Sequence, residues 1–198
     1  MLRMSFKSYK DSPVMPFADA KAFHDWLEKN HSASTGIWIQ FYRKDSGTPS
    51  VTYKQALDEA LCYGWIDGPI KKLEAPDWWI HKFSPRRPQS IWSVNNQKHV
   101  DRLTREGRMA EAGQRAIDMA KADGRWDKAY ASTSTFALPE EFKQVLSKNK
   151  KAYTFYDSLS KANQFAIYFR IHTAKRPETK ERWIKKIIHM LLEGKTFH

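Results

Sequence analysis

The first third of the chain carries a helical pattern of apolar residues. Residues 19–31 place Phe23, Trp26 and Leu27 three and four positions apart, so these side chains share one face of a helix. Asp19 stands where a carboxylate can cap the first turn. The pattern therefore predicts a helix with one buried face.

An extended pattern comes next, followed by a second helical one. Residues 37–44 are rich in β-branched and aromatic residues and have apolar side chains on both faces, which predicts a strand in the middle of a sheet. Thr52 and Gln55 have the spacing of a capping box. They predict a helix that ends where Gly64 lets the chain turn.

Strand signals return once more before helical patterns take over. Residues 70–74 and 78–83 predict a short antiparallel pair joined by a turn at residues 75–77. The later helical segments cover residues 94–106, 109–123, 140–148, 151–174 and 178–193. This order predicts an α+β fold, in which residues 1–92 form a small antiparallel or mixed sheet with helices and residues 93–198 form an all-helical domain.

The net charge of +12 is uneven along the 198 residues. Residues 69–198 hold 26 Lys and Arg against 14 Asp and Glu, so the whole positive excess lies in this part of the chain. Clustered cations attract phosphate, which favours a nucleotide, nucleic acid or an anionic membrane surface as a partner. The alternative is a solvated helical surface, because the lysines are scattered rather than gathered in one block.

Other sequence features indicate the cellular compartment and argue against some kinds of binding site. Cys62 is the single cysteine and the first residues show no apolar signal segment, so we expect a cytoplasmic protein. No apolar run reaches the roughly 20 residues that cross a bilayer, so we expect no membrane insertion. The histidines lack metal-ligand spacing and no glycine-rich nucleotide loop is present, so neither a metal nor a cofactor is expected. We interpret Cys62 as a packing residue, and the sequence identifies no protein partner.

Residues 62–96 combine aromatic, glycine, arginine and amide residues more densely than a buried strand requires. Such a mixture is typical of the walls of concave ligand sites. The predicted ligand-binding residues are Trp65, Asp67, Arg86, Arg87, Ser90, Trp92, Asn95 and Asn96. Together they predict a pocket for a small anionic ligand such as a nucleotide or a carboxylate.

The two adjacent arginines are the main argument for an anion. Arg86 and Arg87 follow Pro85 in a stiff turn, which favours bidentate binding of a carboxylate or a phosphate. The alternative is that one of them pairs with Asp67 in a buried structural ion pair.

Asp67 is the candidate catalytic residue of a second hypothesis, in which the protein is an enzyme. Its carboxylate would act as a general acid or base, although the sequence identifies no partner for the proton transfer. The dipeptide that Asp67 forms with Gly68 is also a common turn signal, so the alternative interpretation is that Asp67 caps a turn.

A third hypothesis concerns the basic segment of residues 174–186. Its lysines and arginines surround Trp183, a combination found where proteins contact nucleic acid. An exposed amphipathic helix explains the same residues, because Glu181 and Lys185 have the spacing of a stabilising ion pair. Nucleic acid is therefore a less favoured partner than a small anion.

Several motifs resemble those of the bacterial YdeI/OmpD-associated proteins. The matching segments are residues 56–68, 83–87, 90–96, 107–109, 112–113, 120–127 and 174–179, together with Arg182. The resemblance spans about residues 17–194. It implies a bacterial cytosolic protein with an α+β part, a helical C-terminal part and a link to bacteriocin or cationic-peptide resistance. It carries over no catalytic residue, and Lys180 departs from the arginine expected there, which weakens a bidentate role at that position.

Overall fold

A computed structural model of the chain describes residues 8–73, 75 and 77–197. The described residues form two compact units. The first contains the residues up to Ile91 together with Asn96–Asp127, and the second contains Trp92–Asn95 together with the residues from Lys128 onward. The predicted domain boundary after residue 92 stays a prediction, because spatial grouping does not measure independent folding.

The first unit is built on a mixed sheet, and helices make up most of the remaining chain. In chain order the elements are β1 (Ser8–Tyr9), β2 (Ser12–Pro16), α1 (Ala20–Asn30), β3 (Ile37–Tyr42), α2 (Tyr53–Cys62), β4 (Trp65–Lys71), β5 (Trp78–Pro85), α3 (Val94–Arg105), α4 (Glu111–Ala122), α5 (Glu140–Ser147), α6 (Lys150–Ser158), α7 (Lys161–His172) and α8 (Pro177–Leu192). The strand order is β1-β2-β3-β5-β4. Strands β2 and β3 are parallel, and the other neighbouring strands are antiparallel. These elements confirm the predicted α+β fold with a helical C-terminal part.

Strand β3 lies at the centre of the sheet, as its sequence predicts. Five of its six residues are buried because β2 and β5 flank it on its two edges and helices cover the sheet. Both neighbouring helices begin as predicted. The Asp19 carboxylate accepts a hydrogen bond from the Ala22 amide at 2.8 Å, and Thr52 and Gln55 form a complete capping box at the start of α2.

Asp67 lies inside a strand, so its interpretation as the cap of a turn is wrong. Residues 65–71 form β4, where Asp67 pairs with Phe83 of β5, and an irregularity in the pairing falls between Asp67 and Ile70. The long pairing with β5 outweighs the local turn preference of an Asp-Gly dipeptide. The predicted turn at residues 75–77 includes Pro76, which with Glu74 lies outside the described residues.

The strands β1 and β2 are absent from the sequence prediction. Pro13 and Pro16 both lie in β2, and a proline normally argues against a strand because it cannot donate to the ladder. The turn between the strands uses Lys10 and Asp11, which both have positive φ angles of 46° and 58°. Neither residue is a glycine, so the turn signal that sequence analysis depends on is missing.

The second unit is a set of helices around its own apolar core. The buried residues of this core are Phe142, Leu146, Ala152, Tyr156, Ile167, Ile171, Ile184, Ile187 and Leu191. The helical segment predicted over residues 151–174 is divided into α6 and α7, so its continuity is a wrong prediction. The break falls at Leu159 and Ser160, where the Ser160 hydroxyl accepts a hydrogen bond from the Asn163 amide and caps α7.

Candidate functional site

Each unit contains a cavity, with a volume of about 700 Å³ in the first unit and about 580 Å³ in the second. Asp67 lines the cavity of the first unit. This cavity opens beside the end of the sheet at which Tyr42 of β3 pairs with Trp78 of β5. The lining residues are Arg43, Tyr53, Asp67, Gly68, Ile70, Lys72, Leu73, Ala75, Trp78, Trp79 and His81. Ligand cavities commonly have this size and this mixture of apolar walls with a few polar groups.

Asp67 connects the polar groups in this cavity. Its carboxylate accepts a hydrogen bond from the Tyr53 hydroxyl at 3.0 Å, and the same oxygen lies 3.7 Å from Nε2 of His81. Tyr53 is the first residue of α2, while Asp67 and His81 come from the paired strands β4 and β5. About a quarter of the Asp67 side chain is exposed, so a ligand in the cavity can reach the carboxylate.

His81 is a buried, neutral member of the same group. Its Nε2 lies 3.0 Å from the Gly68 carbonyl oxygen, which can only accept, so this nitrogen carries the proton and donates it. Burial lowers the pKa of His81, while the Asp67 carboxylate acts in the opposite direction. The Tyr53 ring stacks on the imidazole at 5.1 Å with an angle of 8° between the planes. His81 therefore fixes the positions of Tyr53 and the strand backbone.

Cations and aromatic rings occupy other parts of the cavity wall. Arg43 and Lys72 are exposed, and both line the opening. Trp79 stacks on Phe41 at 5.6 Å with an angle of 14°, which holds one indole in a fixed plane. Trp78 contributes a second indole to the wall. The cavity thus offers flat apolar surfaces together with positive charge at its opening.

Of the eight predicted ligand-binding residues, Asp67 lines this cavity. Trp65 and Trp92 are each 1% exposed, so both indoles lie in the interior. The indole N–H of Trp65 donates to the His31 carbonyl oxygen at 3.2 Å. Trp92 and Asn95 belong to the second unit, whereas the other six residues belong to the first.

The predicted arginine pair lies beyond the end of β5. The Arg86 guanidinium donates to the Ile91 carbonyl oxygen at 3.1 Å, so it braces its own loop. Arg87 is exposed, and its backbone amide donates to the Ser90 hydroxyl at 3.0 Å. The Ser90 carbonyl oxygen accepts from Arg125 at 2.8 Å. Asn95 is exposed and Asn96 is buried, and a ligand site at these predicted residues stays a prediction.

A second polar group is centred on two adjacent carboxylates of α2, both buried. Asp58 lies 2.7 Å from Nδ1 of His99 and 2.6 Å from a guanidinium nitrogen of Arg102. Because a buried carboxylate is costly without a partner, the arginine offsets its charge. The sequence gives no indication of this pairing, since the partners are more than 40 positions apart along the chain.

Glu59 has an equivalent environment. It lies 2.9 Å from Nδ1 of His24 and 2.5 Å from a guanidinium nitrogen of Arg108. Within the described ranges, no group of three or more His, Cys, Asp and Glu is arranged to hold a metal ion. Each carboxylate has its own arginine and histidine, so these contacts join α2 to the elements around it.

Cys62 lies near these carboxylates at the end of α2. It is buried, and this burial raises the pKa of its thiol to about 12. The thiol therefore stays protonated at neutral pH and is a poor nucleophile. This agrees with the interpretation of Cys62 as a packing residue.

Most residues of the cavity wall around Asp67 carry no signal of a site in the sequence. Tyr53 carries a helical apolar signal, and Arg43 and Lys72 carry the signal of ordinary surface cations. They meet because β3, β4 and β5 pair with one another, and the register of that pairing depends on residues far apart in the chain. The adjacent tryptophans at positions 78 and 79 are the sequence feature that indicates this site, because a strand of this length does not need two neighbouring indoles for its stability.

Comparison with known protein families adds an identification. Residues 135–194 match the family described as bacteriocin-protection, YdeI or OmpD-associated. This helical segment belongs to the YdeI/OmpD-associated family. Residues 15–116, more than half of the chain, match a domain of unknown function, DUF8412. The chain therefore belongs to the DUF8412 family. The resemblance identified from the motifs is confirmed over residues 135–194, and with it the family-level link to bacteriocin protection.

No curated protein and no solved structure shows a significant match to this chain. Across the part of the chain that the structure describes, no helix combines the length and the apolar character that a membrane crossing demands.

Proposed function

We propose that the first unit of this YdeI/OmpD-associated protein binds a small anionic molecule with an aromatic or apolar part in the cavity around Asp67. The observation that carries the proposal is the composition of the cavity wall, where Trp78 and Trp79 stand with Arg43 and Lys72 around a volume of about 700 Å³. A ligand of this kind satisfies both the indole surfaces and the positive charge.

The positions of the charges restrict the ligand further. Arg43 and Lys72 attract its anionic group, and the Arg43 guanidinium can hold a carboxylate through two parallel hydrogen bonds. The Asp67 carboxylate repels an anion and accepts hydrogen bonds, so it favours a hydroxyl or an amino group of the ligand. An aromatic or aliphatic carboxylate with a hydroxyl or amino substituent meets all of these conditions.

This proposal retains the small anionic ligand and Asp67 of the sequence prediction. It assigns the anion to Arg43 and Lys72, and it leaves the site around Arg86 and Arg87 as a separate hypothesis. Variants of Arg43 and Lys72, compared with variants of Arg86 and Arg87, distinguish between the two sites.

The first prediction concerns the source of the positive charge. A panel of hydroxy and amino carboxylates is screened by thermal shift on the full chain, because a ligand that binds the native state raises the melting temperature. The best compound is then measured by calorimetry. Arg43→Gln is expected to weaken its binding about tenfold or more, since a hydrogen bond between charged groups is lost.

Matched variants complete this experiment. Lys44→Gln removes an adjacent, exposed cation that does not line the cavity, and it is expected to leave the affinity unchanged. Equal affinities of Arg43→Gln, Lys72→Gln and the unmodified protein would contradict the proposal. A loss that appears in Arg86→Gln and Arg87→Gln instead would assign the ligand to the predicted arginine site.

The second candidate function is proton transfer by Asp67. The observation that favours it is the contact of its carboxylate with the Tyr53 hydroxyl at 3.0 Å, because this supplies the proton-transfer partner that the sequence does not reveal. Once a substrate is found by the same screen, Asp67→Asn and Tyr53→Phe are expected to lower kcat about a hundredfold or more while the substrate still binds. Full turnover by a folded Asp67→Asn protein would exclude this role.

A cytoplasmic location is part of the proposal. Its support is the single cysteine, Cys62, which cannot form a disulfide within the given sequence and is typical of a reducing compartment. Protection against a bacteriocin would then act through a bound intracellular molecule, and cell fractionation with a detectable tag tests the location.

A further inference from the structure

The cavity of the second unit lies between the end of α7 and the start of α8, far along the chain from the site around Asp67. Its volume is about 580 Å³. The lining residues are Phe169, Arg170, Thr173, Ala174, Lys175, Arg176, Thr179 and Trp183. This is the segment with basic residues around a tryptophan that the sequence singles out, and the function proposed above does not use it.

Three of the lining side chains are cations, and none of the described lining residues is an acid. Arg170, Lys175 and Arg176 all border the same cavity. Residues 128–198 hold 14 Lys and Arg against 6 Asp and Glu, so the surroundings are positive as well. The nearby Lys180 forms an ion pair with Glu141, which offsets that acidic side chain. The cavity therefore has a concentrated positive potential.

Arg170 is held in a fixed orientation. Its guanidinium carbon lies 3.8 Å from the centre of the Phe197 ring and 5.9 Å from that of Trp183. One guanidinium nitrogen donates to the Ala166 carbonyl oxygen at 3.3 Å. A guanidinium has five N–H donors, so this contact leaves it with donors for a ligand, and the two rings limit the entropy lost on binding.

The cavity also has an aromatic wall and a hydroxyl group. Trp183 is partly exposed and lines the cavity together with Phe169. The Thr173 hydroxyl donates to the Phe169 carbonyl oxygen at 2.6 Å, so it shapes the wall. Thr179, in the first turn of α8, places a second hydroxyl beside the cations.

We propose that this cavity binds a phosphate monoester joined to a planar aromatic group, as in a mononucleotide. The two guanidinium groups of Arg170 and Arg176 and a hydroxyl offer more donors than a singly charged carboxylate needs, whereas a phosphate monoester carries about −1.5 to −2 charges and three acceptor oxygens. Arg170 and Arg176 hold the phosphate, and Trp183 contacts the aromatic ring. The volume is that of a site for a small molecule.

Calorimetry on the full chain tests the ligand class with AMP, GMP and UMP as probes. Ribose 5-phosphate and adenosine each supply one part of the proposed ligand. AMP is expected to bind more tightly than either, and its affinity is expected to fall as the salt concentration rises. Failure of all three nucleotides to bind overturns the proposal. Adenosine binding as tightly as AMP overturns the phosphate assignment, and ribose 5-phosphate binding as tightly as AMP overturns the aromatic one.

A matched pair of variants tests the place of binding. Arg176→Gln and Arg182→Gln each remove one exposed arginine near the start of α8, but only Arg176 lines the cavity. Arg176→Gln is expected to weaken AMP binding about tenfold or more, while Arg182→Gln leaves it near the value of the unmodified protein. Equal losses in both variants would show diffuse attraction to a basic surface. If a single-stranded oligonucleotide binds and depends on Arg176 while no mononucleotide binds, the surface serves nucleic acid and the proposal is wrong.

Discussion

At the scale of single residues, the first unit contrasts two ways of placing a carboxylate. Asp58 is buried and fully engaged by His99 and Arg102, so its charge is used to hold the fold together. Asp67 is partly exposed and contacts Tyr53 and His81 at the wall of a cavity. A carboxylate that is open to solvent and held by neutral groups is available to a ligand, and this difference separates the candidate site from the structural cluster.

His81 makes the stability of the protein depend on pH. Because burial lowers the pKa of His81 in the folded protein, the unfolded chain binds more protons than the folded one below the ordinary histidine pKa of about 6.5. The free energy of unfolding should therefore fall as the pH drops below about 6.5, by at most about 1.4 kcal/mol per pH unit from this residue.

This effect is measured by chemical denaturation of the unmodified protein and of His81→Gln between about pH 5 and 8, because histidine titrates in this range. The dependence on pH should be weaker in His81→Gln, whose amide can still donate to Gly68. His189→Gln is the control, since His189 is exposed on α8. Parallel curves for the unmodified protein and His81→Gln would show that the burial of His81 does not affect stability in this range.

At the scale of elements, helix α4 packs against the end of α2 through a glycine. A Cβ atom added at Gly113 would lie 2.1 Å from the Cys62 carbonyl oxygen, which is far inside the contact distance. The Ala110 amide donates to the same carbonyl oxygen at 3.1 Å. The close approach of the two backbones therefore requires glycine at this position, although glycine is ordinarily unfavourable inside a helix.

Gly113→Ala is expected to destabilise the protein by about 1 to 3 kcal/mol, because α4 must move away from α2. The same change at an uncrowded helical position stabilises a protein by up to about 1 kcal/mol, so the sign of the effect is informative. Met119→Ala is a control on the exposed face of α4, and it should change the free energy of unfolding by less than about 0.5 kcal/mol. A stabilised Gly113→Ala protein would contradict the close packing.

At the scale of the whole molecule, local signals predicted the elements better than they predicted the site. The capping box at Thr52 and the apolar faces of β3 depend on neighbouring residues, so the sequence reveals them. The strand that contains Asp67 depends on its pairing with β5, and this overrides the turn signal of Asp-Gly. Arg43 and Lys72 both line the cavity, and nothing in the sequence near either residue indicates that they border the same site.

The short segment Trp92–Asn95 has a consequence for genetic engineering of the chain. It belongs to the second unit, where the Val94 amide donates to the Tyr130 carbonyl oxygen and the Tyr130 amide donates to that of Trp92. The residues on both sides of it, up to Ile91 and from Asn96 to Asp127, belong to the first unit. The chain therefore passes from one unit to the other three times. A single crossover between related genes therefore cannot exchange one intact unit for another.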